Sequence, residues 1–166
     1  MKIKIDFEKF ISIVAVIFWM GVIFSFSTQN GKQSGNLSGE VIHWIVKIFN
    51  PDFETLSEDK QATIISGWQF FVRKAAHFSE YAVLGMLTAN SVRLYTQKTW
   101  LKLILPMIFS ALYSVSDEIH QFFVPERACS IRDMALDTAG AVTGVLIFTC
   151  FYALIRKIRN SKHKTR

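Results

Sequence analysis

The chain has 166 residues, 51% of them hydrophobic and only 19% charged, with a formal net charge of +6. The hydrophobic residues fall into long blocks, which argues against an ordinary soluble domain and against a disordered chain. The two cysteines, Cys129 and Cys150, are separated by about 20 helical residues, roughly 30 Å of rise, too far for a bridge within one chain.

A bilayer core needs a helix of about 20 mostly apolar residues, and four stretches meet that length. Residues 7–26, "FEKFISIVAVIFWMGVIFSF", form the first. Lys2, Lys4 and Lys9 at its start and "SFS" at its end resemble a signal peptide. The length of the run and the bulk of Phe26 at the cleavage position favour a retained helix. Residues 28–72 are expected to lie outside the membrane core. In that segment "LSGEVIHWIVKIF" puts Leu37, Val41, Trp44, Ile45 and Ile48 on one helical face. "NPD" then marks a turn, and Ser57 with Glu58 and Asp59 marks a second helix start. Trp44 and Trp68 suit the headgroup zone, so both helices are expected at the interface.

The second span is expected at 75–95, the third at 102–123 and the fourth at 134–155, followed by the basic tail 156–166. The sequence therefore predicts one all-α integral membrane domain over 1–166: a four-transmembrane-helix bundle with amphipathic interfacial helices between the first and second spans. Lys and Arg beside membrane helices favour the cytoplasm. Placing both termini there puts twelve basic residues inside: Lys2, Lys4, Lys9, Arg93, Lys98, Lys102, Arg156, Lys157, Arg159, Lys162, Lys164 and Arg166. Seven remain outside: Lys32, Lys47, Lys60, Arg73, Lys74, Arg127 and Arg132. Both termini are thus expected in the cytoplasm of a multi-pass plasma-membrane protein. The tail reads as a contact for anionic lipid headgroups; no nucleic-acid partner is expected.

With that orientation the polar residues of separate helices fall at one depth, near the outer leaflet. Ionisable groups there are costly and commonly mark a site. Helical spacing of three and four groups Arg73, His77, Glu80 and Tyr81 on one stripe. It groups Asp117, His120 and Gln121 on a second, with Glu118 turned aside by about 100°, and Asp133, Asp137, Gly140 and Gly144 on a third. The small-residue stripe allows a close helix approach.

Two uses compete with a buried salt-bridged network, which could equally fix the helices beside one another. The first is a hydrolase or transferase acting on a lipid-linked envelope molecule. Glu118 and Glu80 are the candidate acid and base, with Asp117 beside them and His77 and His120 as proton shuttles. Arg73, Lys74 and Arg127 would hold a phosphate or pyrophosphate; Tyr81, Gln121, Asp133 and Asp137 are further ligand contacts. Ser114 and Ser116 lack a base at a selective spacing, so no serine nucleophile is assigned. The second use is non-enzymatic binding, translocation or sequestration of an anionic amphipathic lipid or lipoglycopeptide. His77, Glu80, Asp117, Glu118 and His120 include donors suited to Zn²⁺ or Mn²⁺. Glu118 and His120 do not share a helix face, however, and His77-x-x-Glu80 is an ordinary helical pair. No metal site is assigned and no cofactor is named.

"RKAAHFSEYAVLG" (Arg73 to Gly85), "SVSDEIHQFFVPERACSIRD" (Ser114 to Asp133) and "DTAGAVTG" (Asp137 to Gly144) resemble motifs of the VanZ-like membrane protein family, and "FSFSTQ" is similar to its short Ser-rich motif. The resemblance runs from about the first span to the fourth. It singles out Lys74, His77, Glu80, Tyr81, Asp117, Glu118, His120, Gln121, Arg127, Asp133 and Gly140. Asp137 departs from the pattern, since many relatives carry Asn there. The resemblance implies a cell-envelope protein of Gram-positive bacteria, in a family whose founding member lowers susceptibility to teicoplanin. It implies no particular reaction.

Overall fold

The computed structural model describes residues 6–164; Lys2, Lys4 and Arg166 of the charge count above lie outside the described residues. Five α-helices and one short 3-10 helix make up the fold: α1 (Phe7–Ser27), α2 (Gly31–Phe49), the 3-10 turn Pro51–Thr55, α3 (Glu58–Val92), α4 (Thr99–Phe122) and α5 (Ile131–Lys164). There is no strand among the described residues.

The side-chain distribution is inverted relative to a protein in water. Ile11, Val14, Ile17 and Phe18 of α1, Ile108, Leu112 and Ile119 of α4, and Leu146, Ile147 and Phe151 of α5 point outward. Ser12, Ser110, Ser114, Asp117, Glu118, Gln121 and Asp137 are buried. Surrounding lipid tails are as apolar as leucine, so polar groups and small residues, rather than hydrophobic collapse, hold helices together there. Three helices are long and apolar enough to cross a membrane: Phe7–Ser27, Thr99–Phe122 and Ile131–Ser161. The chain therefore has the build of an all-helical membrane protein with three candidate spans among the described residues.

The second expected span, 75–95, falls mostly within α3, which differs from the expectation in two ways. It is one unbroken helix of 35 residues, about 52 Å long at 1.5 Å per residue. It therefore joins the end of the 28–72 segment to the expected span without a break. It also lacks a stretch apolar enough to be counted by composition, because His77, Glu80 and Asn90 interrupt its hydrophobic run. Those polar positions are shielded, since α3 packs against α1, α2, α4 and α5. Tyr81, Leu84, Gly85, Thr88 and Ala89 form its buried face.

Glycines set the closest of these contacts. A Cβ placed on Gly140 would run into the Phe78 carbonyl, one on Gly144 into the Ala82 carbonyl, and one on Gly85 into the Ala141 carbonyl. The α3 and α5 backbones touch with no side chain between them, which is the use of a small-residue stripe. His77 lies one residue before Phe78, and Asp137 one turn before Gly140, so this seam also sets their separation.

The segment between α1 and α3 is built from local signals. Asn30 caps α2: its side chain accepts from the Gln33 amide at 2.8 Å, while Gln33 returns a bond to the Asn30 amide at 3.1 Å. Helix α3 begins directly after Ser57, although Ser57 makes no side-chain cap bond. Leu37, Val41, Trp44, Ile45 and Ile48 remain exposed on α2, as do Trp68, Phe70 and Phe71 on α3.

Candidate functional site

The polar residues of separate helices meet at one end of the bundle, where α1 and α4 finish and α5 begins. The last turn of α1 supplies Ser27, whose hydroxyl donates to Asp117 Oδ2 at 2.6 Å. Gln121, one turn beyond Asp117, donates to Ser27 Oγ at 3.1 Å and to Asp117 Oδ2 at 3.2 Å. Its carbonyl oxygen accepts from Arg127 Nη1 at 3.3 Å, and Arg127 Nε donates to the Gln29 carbonyl at 3.2 Å. Asp117 and Gln121 are thus engaged in tying α1 to α4 and to the following loop. Burial and the neighbouring Arg73 guanidinium hold the Arg127 pKa below the ordinary guanidinium range. A guanidinium begins high enough to keep its charge regardless.

Glu118 is fully buried and points elsewhere, as its helical position requires. Its Oε2 accepts the Ser130 amide at 2.8 Å, holding the loop that leads into α5. Lys74 is paired with Asp133, joining α3 to the first turn of α5. His120 packs its ring on Phe24 at a centroid distance of 4.7 Å. Tyr81 is fully buried, 6.3 Å from the Tyr113 ring. These residues hold the bundle together around the site; none of them faces its open space.

That space is a cavity of about 340 Å³ beneath α2. Phe26, Leu37, Val41, Val72 and Ala76 give it apolar walls, and Arg73, His77, Glu80 and Arg127 converge on it from α3 and the α4–α5 loop. Glu40 of α2 also lines it. Among the described residues neither Arg73 nor Arg127 has a carboxylate within ion-pair distance. The cavity therefore presents two guanidinium groups outside ion-pair contact, beside one imidazole and two carboxylates, Glu40 and Glu80. The Glu80 backbone is fixed by Trp19 Nε1, which donates to its carbonyl at 2.8 Å.

Of the candidates singled out by sequence, the structure brings Arg73, His77, Glu80 and Arg127 to the cavity. It leaves Lys74, Tyr81, Asp117, Glu118, His120, Gln121, Asp133 and Asp137 outside its lining. Asp137 lies directly behind it, completely buried: Ser114 Oγ donates to its Oδ2 at 3.1 Å, and its Oδ1 is 3.8 Å from His77 Nδ1. Among the described residues no group of three or more His, Cys, Asp or Glu side chains is arranged to hold a metal ion.

Three contributors have no role in the sequence reading. Ser27 stands in the Ser-rich motif with nothing to indicate a partner ninety positions away. Ser114 is a support for Asp137. Glu126 adopts a left-handed conformation, φ 61°, and its carboxylate accepts the Lys32 amide at the start of α2 at 3.1 Å. A charged acceptor at a helix N-terminus is favourable, and this one ties the helix over the cavity to the α4–α5 loop. A proline directly before it marks a turn but does not reveal that contact.

The model of the VanZ/LLP1 family matches residues 11–153. The chain belongs to the VanZ/LLP1 family. The match runs from α1 well into α5, so the VanZ/LLP1 region includes every residue that lines the cavity. No curated protein and no solved structure matches the chain.

Proposed function

We propose that this VanZ/LLP1 protein works in the cell envelope, in the outer leaflet of the plasma membrane. There its cavity takes the anionic headgroup of a lipid-linked envelope molecule, and His77 and Glu80 act on the bound headgroup. The observation that carries this reading is the pair of guanidiniums, Arg73 and Arg127, facing one half-apolar cavity without a carboxylate in ion-pair contact. Arg binds phosphate and carboxylate oxygens in bidentate fashion, and the apolar walls suit the start of a lipid tail. Acting on such a molecule would place the protein among determinants of glycopeptide resistance of the teicoplanin type.

The topology proposed with this function has four spans and both termini in the cytoplasm. The support is geometric as well as electrostatic. Ser27 at the end of α1 bonds Asp117 near the end of α4, while Ile13, Val16 and Ile17 share a groove with Leu105, Ile108 and Phe109 nearer their starts. The two helices run parallel, so a chain that crosses in α1 must return before crossing again in α4. Helix α3 is the segment between them long enough to do so.

A second reading, capture of an anionic amphiphile without chemistry, is favoured by one observation: Glu118, the preferred acid by sequence, is bonded to Ser130 rather than turned into the cavity. Both readings are tested with the full chain in phosphatidylcholine nanodiscs, titrated with dioctanoyl phosphatidic acid or with neutral dioctanoylglycerol. Preference for the phosphate, lost in R73Q, is expected. Equal binding of the two lipids would refute the headgroup site. Mass spectrometry of co-purified envelope lipids from cells carrying wild type, H77Q or E80Q then separates the readings. Accumulation of one lipid on the variants supports chemistry; identical lipids on all three support capture.

A further inference from the structure

The cavity has a back wall as well as a lining. His77 Nδ1 is buried and without a hydrogen-bond partner, and so is Asp137 Oδ1 facing it across 3.8 Å. Asp137 Oδ2 is already held by Ser114 Oγ at 3.1 Å. The same imidazole lines the cavity. Ser114, Asp137 and His77 therefore stand in sequence from the bundle interior to the open space, contributed by α4, α5 and α3.

We propose that Asp137 is a positioning residue for His77: it accepts the Nδ1 proton, fixes that tautomer, and leaves Nε2 facing the cavity as a proton acceptor for a bound hydroxyl or water. A neutral imidazole carries one donor and one acceptor, and the partner of one nitrogen decides the state of the other. An unpaired buried carboxylate oxygen and an unpaired ring nitrogen are each costly, and a closure of less than 1 Å satisfies both. Such contacts are often long before ligand binds and tighten afterward. The glycine seam limits what else can happen, since Gly140 and Gly144 keep the two backbones in contact.

The charges facing His77 explain why a carboxylate is useful there. Arg73 and Lys74 on its own helix and Arg127 on the loop all oppose a positive ring; Asp133 and Asp137 on α5 offset them. Asp133 is committed to Lys74, so of the two α5 carboxylates Asp137 is the one available as a counter-charge when Nε2 takes a proton. The bond lost is O–H in the cavity, the bond gained is Nε2–H, and the ring charge is met by Asp137. This inference rests on the cavity reading only for the identity of the proton donor; the dyad itself does not depend on it.

The experiment is ¹⁵N–¹H correlation spectroscopy of the ¹⁵N-histidine-labelled full chain in phosphatidylcholine nanodiscs, with His77 assigned by the signal missing in H77Q. Wild type is expected to show the Nδ1–H tautomer. D137N keeps an acceptor carbonyl toward His77 and is expected to retain it; D137L is expected to shift it toward Nε2–H, the form a free imidazole prefers. An Nε2–H tautomer in wild type overturns the proposal, whatever the variants do. So does Nδ1–H persisting in folded D137L. Adding dioctanoyl phosphatidic acid separates the two ideas: if it leaves every His77 resonance unmoved while the wild-type tautomer is Nδ1–H, the headgroup site fails and the dyad stands.

Discussion

Ser27 and Asp117 are ninety positions apart, yet the hydroxyl of one lies 2.6 Å from the carboxylate of the other with both buried. The bond closes α1 onto α4 at the end of the bundle that holds the cavity. Gln121 reaches the same two groups, so the end of α1 is fixed by a small network rather than by apolar contact. Removing the serine hydroxyl leaves the Asp117 carboxylate with fewer donors in a place water does not easily reach. Ser27→Ala is expected to lower stability by about 1–3 kcal/mol, read as a fall in thermal midpoint of the detergent-solubilised protein. An unchanged midpoint would mean the bond is not a support.

The glycine seam makes a sharper demand. Gly144→Val places branched carbon atoms against the Ala82 carbonyl, and the two helices can accommodate it only by moving apart. Overpacking of this kind typically costs about 1–3 kcal/mol. In addition, the His77–Asp137 separation should lengthen. Spin labels on the exposed faces of α3 and α5 would report a larger distance; full stability with the same distance would contradict the contact.

Glu126 combines two effects that substitution can separate. Glu126→Ala loses the bond to the Lys32 amide and keeps a side chain in a left-handed conformation, whereas Glu126→Gly loses the bond but relieves the backbone. Loss of a helix cap costs about 0.5–2 kcal/mol. Amide exchange in the first turn of α2 is therefore expected to accelerate in both variants, with the larger loss of thermal stability in the alanine. The reverse order of stability would refute the assignment of backbone strain at this position.

Arg73 and Arg127 differ in what their loss should do. Arg127 bonds Gln29 and Gln121; Arg73 has no hydrogen bond or ion pair among the described residues. Arg73→Gln is expected to leave the thermal midpoint in place and to weaken binding of dioctanoyl phosphatidic acid about tenfold, equivalent to about 1.4 kcal/mol. Arg127→Gln should lose both affinity and stability. A destabilised Arg73→Gln would reassign that residue to the framework.

Helix α2 leaves Trp44, Ile48 and Phe49 exposed, a face that suits the membrane interface. A variant retaining Trp44 as its only tryptophan should be quenched by lipids brominated near the headgroup and spared by those brominated at the chain ends. Quenching by an aqueous quencher alone would place that face in water.

The long apolar runs of α1 and α5 stand out by composition alone because their outward-facing residues advertise them, whereas α4, which carries Asp117, Glu118 and His120, is legible only from the pattern of the whole chain. Helix α3 was only half readable. Ser57, Glu58 and Asp59 announce its start, but its composition changes near Arg73 from a polar outer stretch to a bundle-facing one, with no proline to break it. A change of surroundings therefore looked like a change of element. The site divides in the same way. Helical spacing placed His77 with Arg73 and Glu80, and it turned Glu118 away from Asp117, but it could not say what Glu118 turned toward. That depends on the Ser130 amide, a backbone donor in a loop, which leaves no mark in residue type. Glu126 was invisible for a similar reason: its partner is the amide of Lys32, and its own backbone angle is set by the turn it sits in.

Because α3 runs unbroken from Glu58 to Val92, the wall bearing Arg73 and His77 has no joint of its own. Any change in the width of the chamber therefore falls to the short segment opposite. That segment is held by Asn30 before it, by a single 3-10 turn after it, and by the ties of Glu126 to the Lys32 amide and of Gln69 to the Gly35 carbonyl. One side of the chamber is a single stiff post and the other a plank pinned down at separate points.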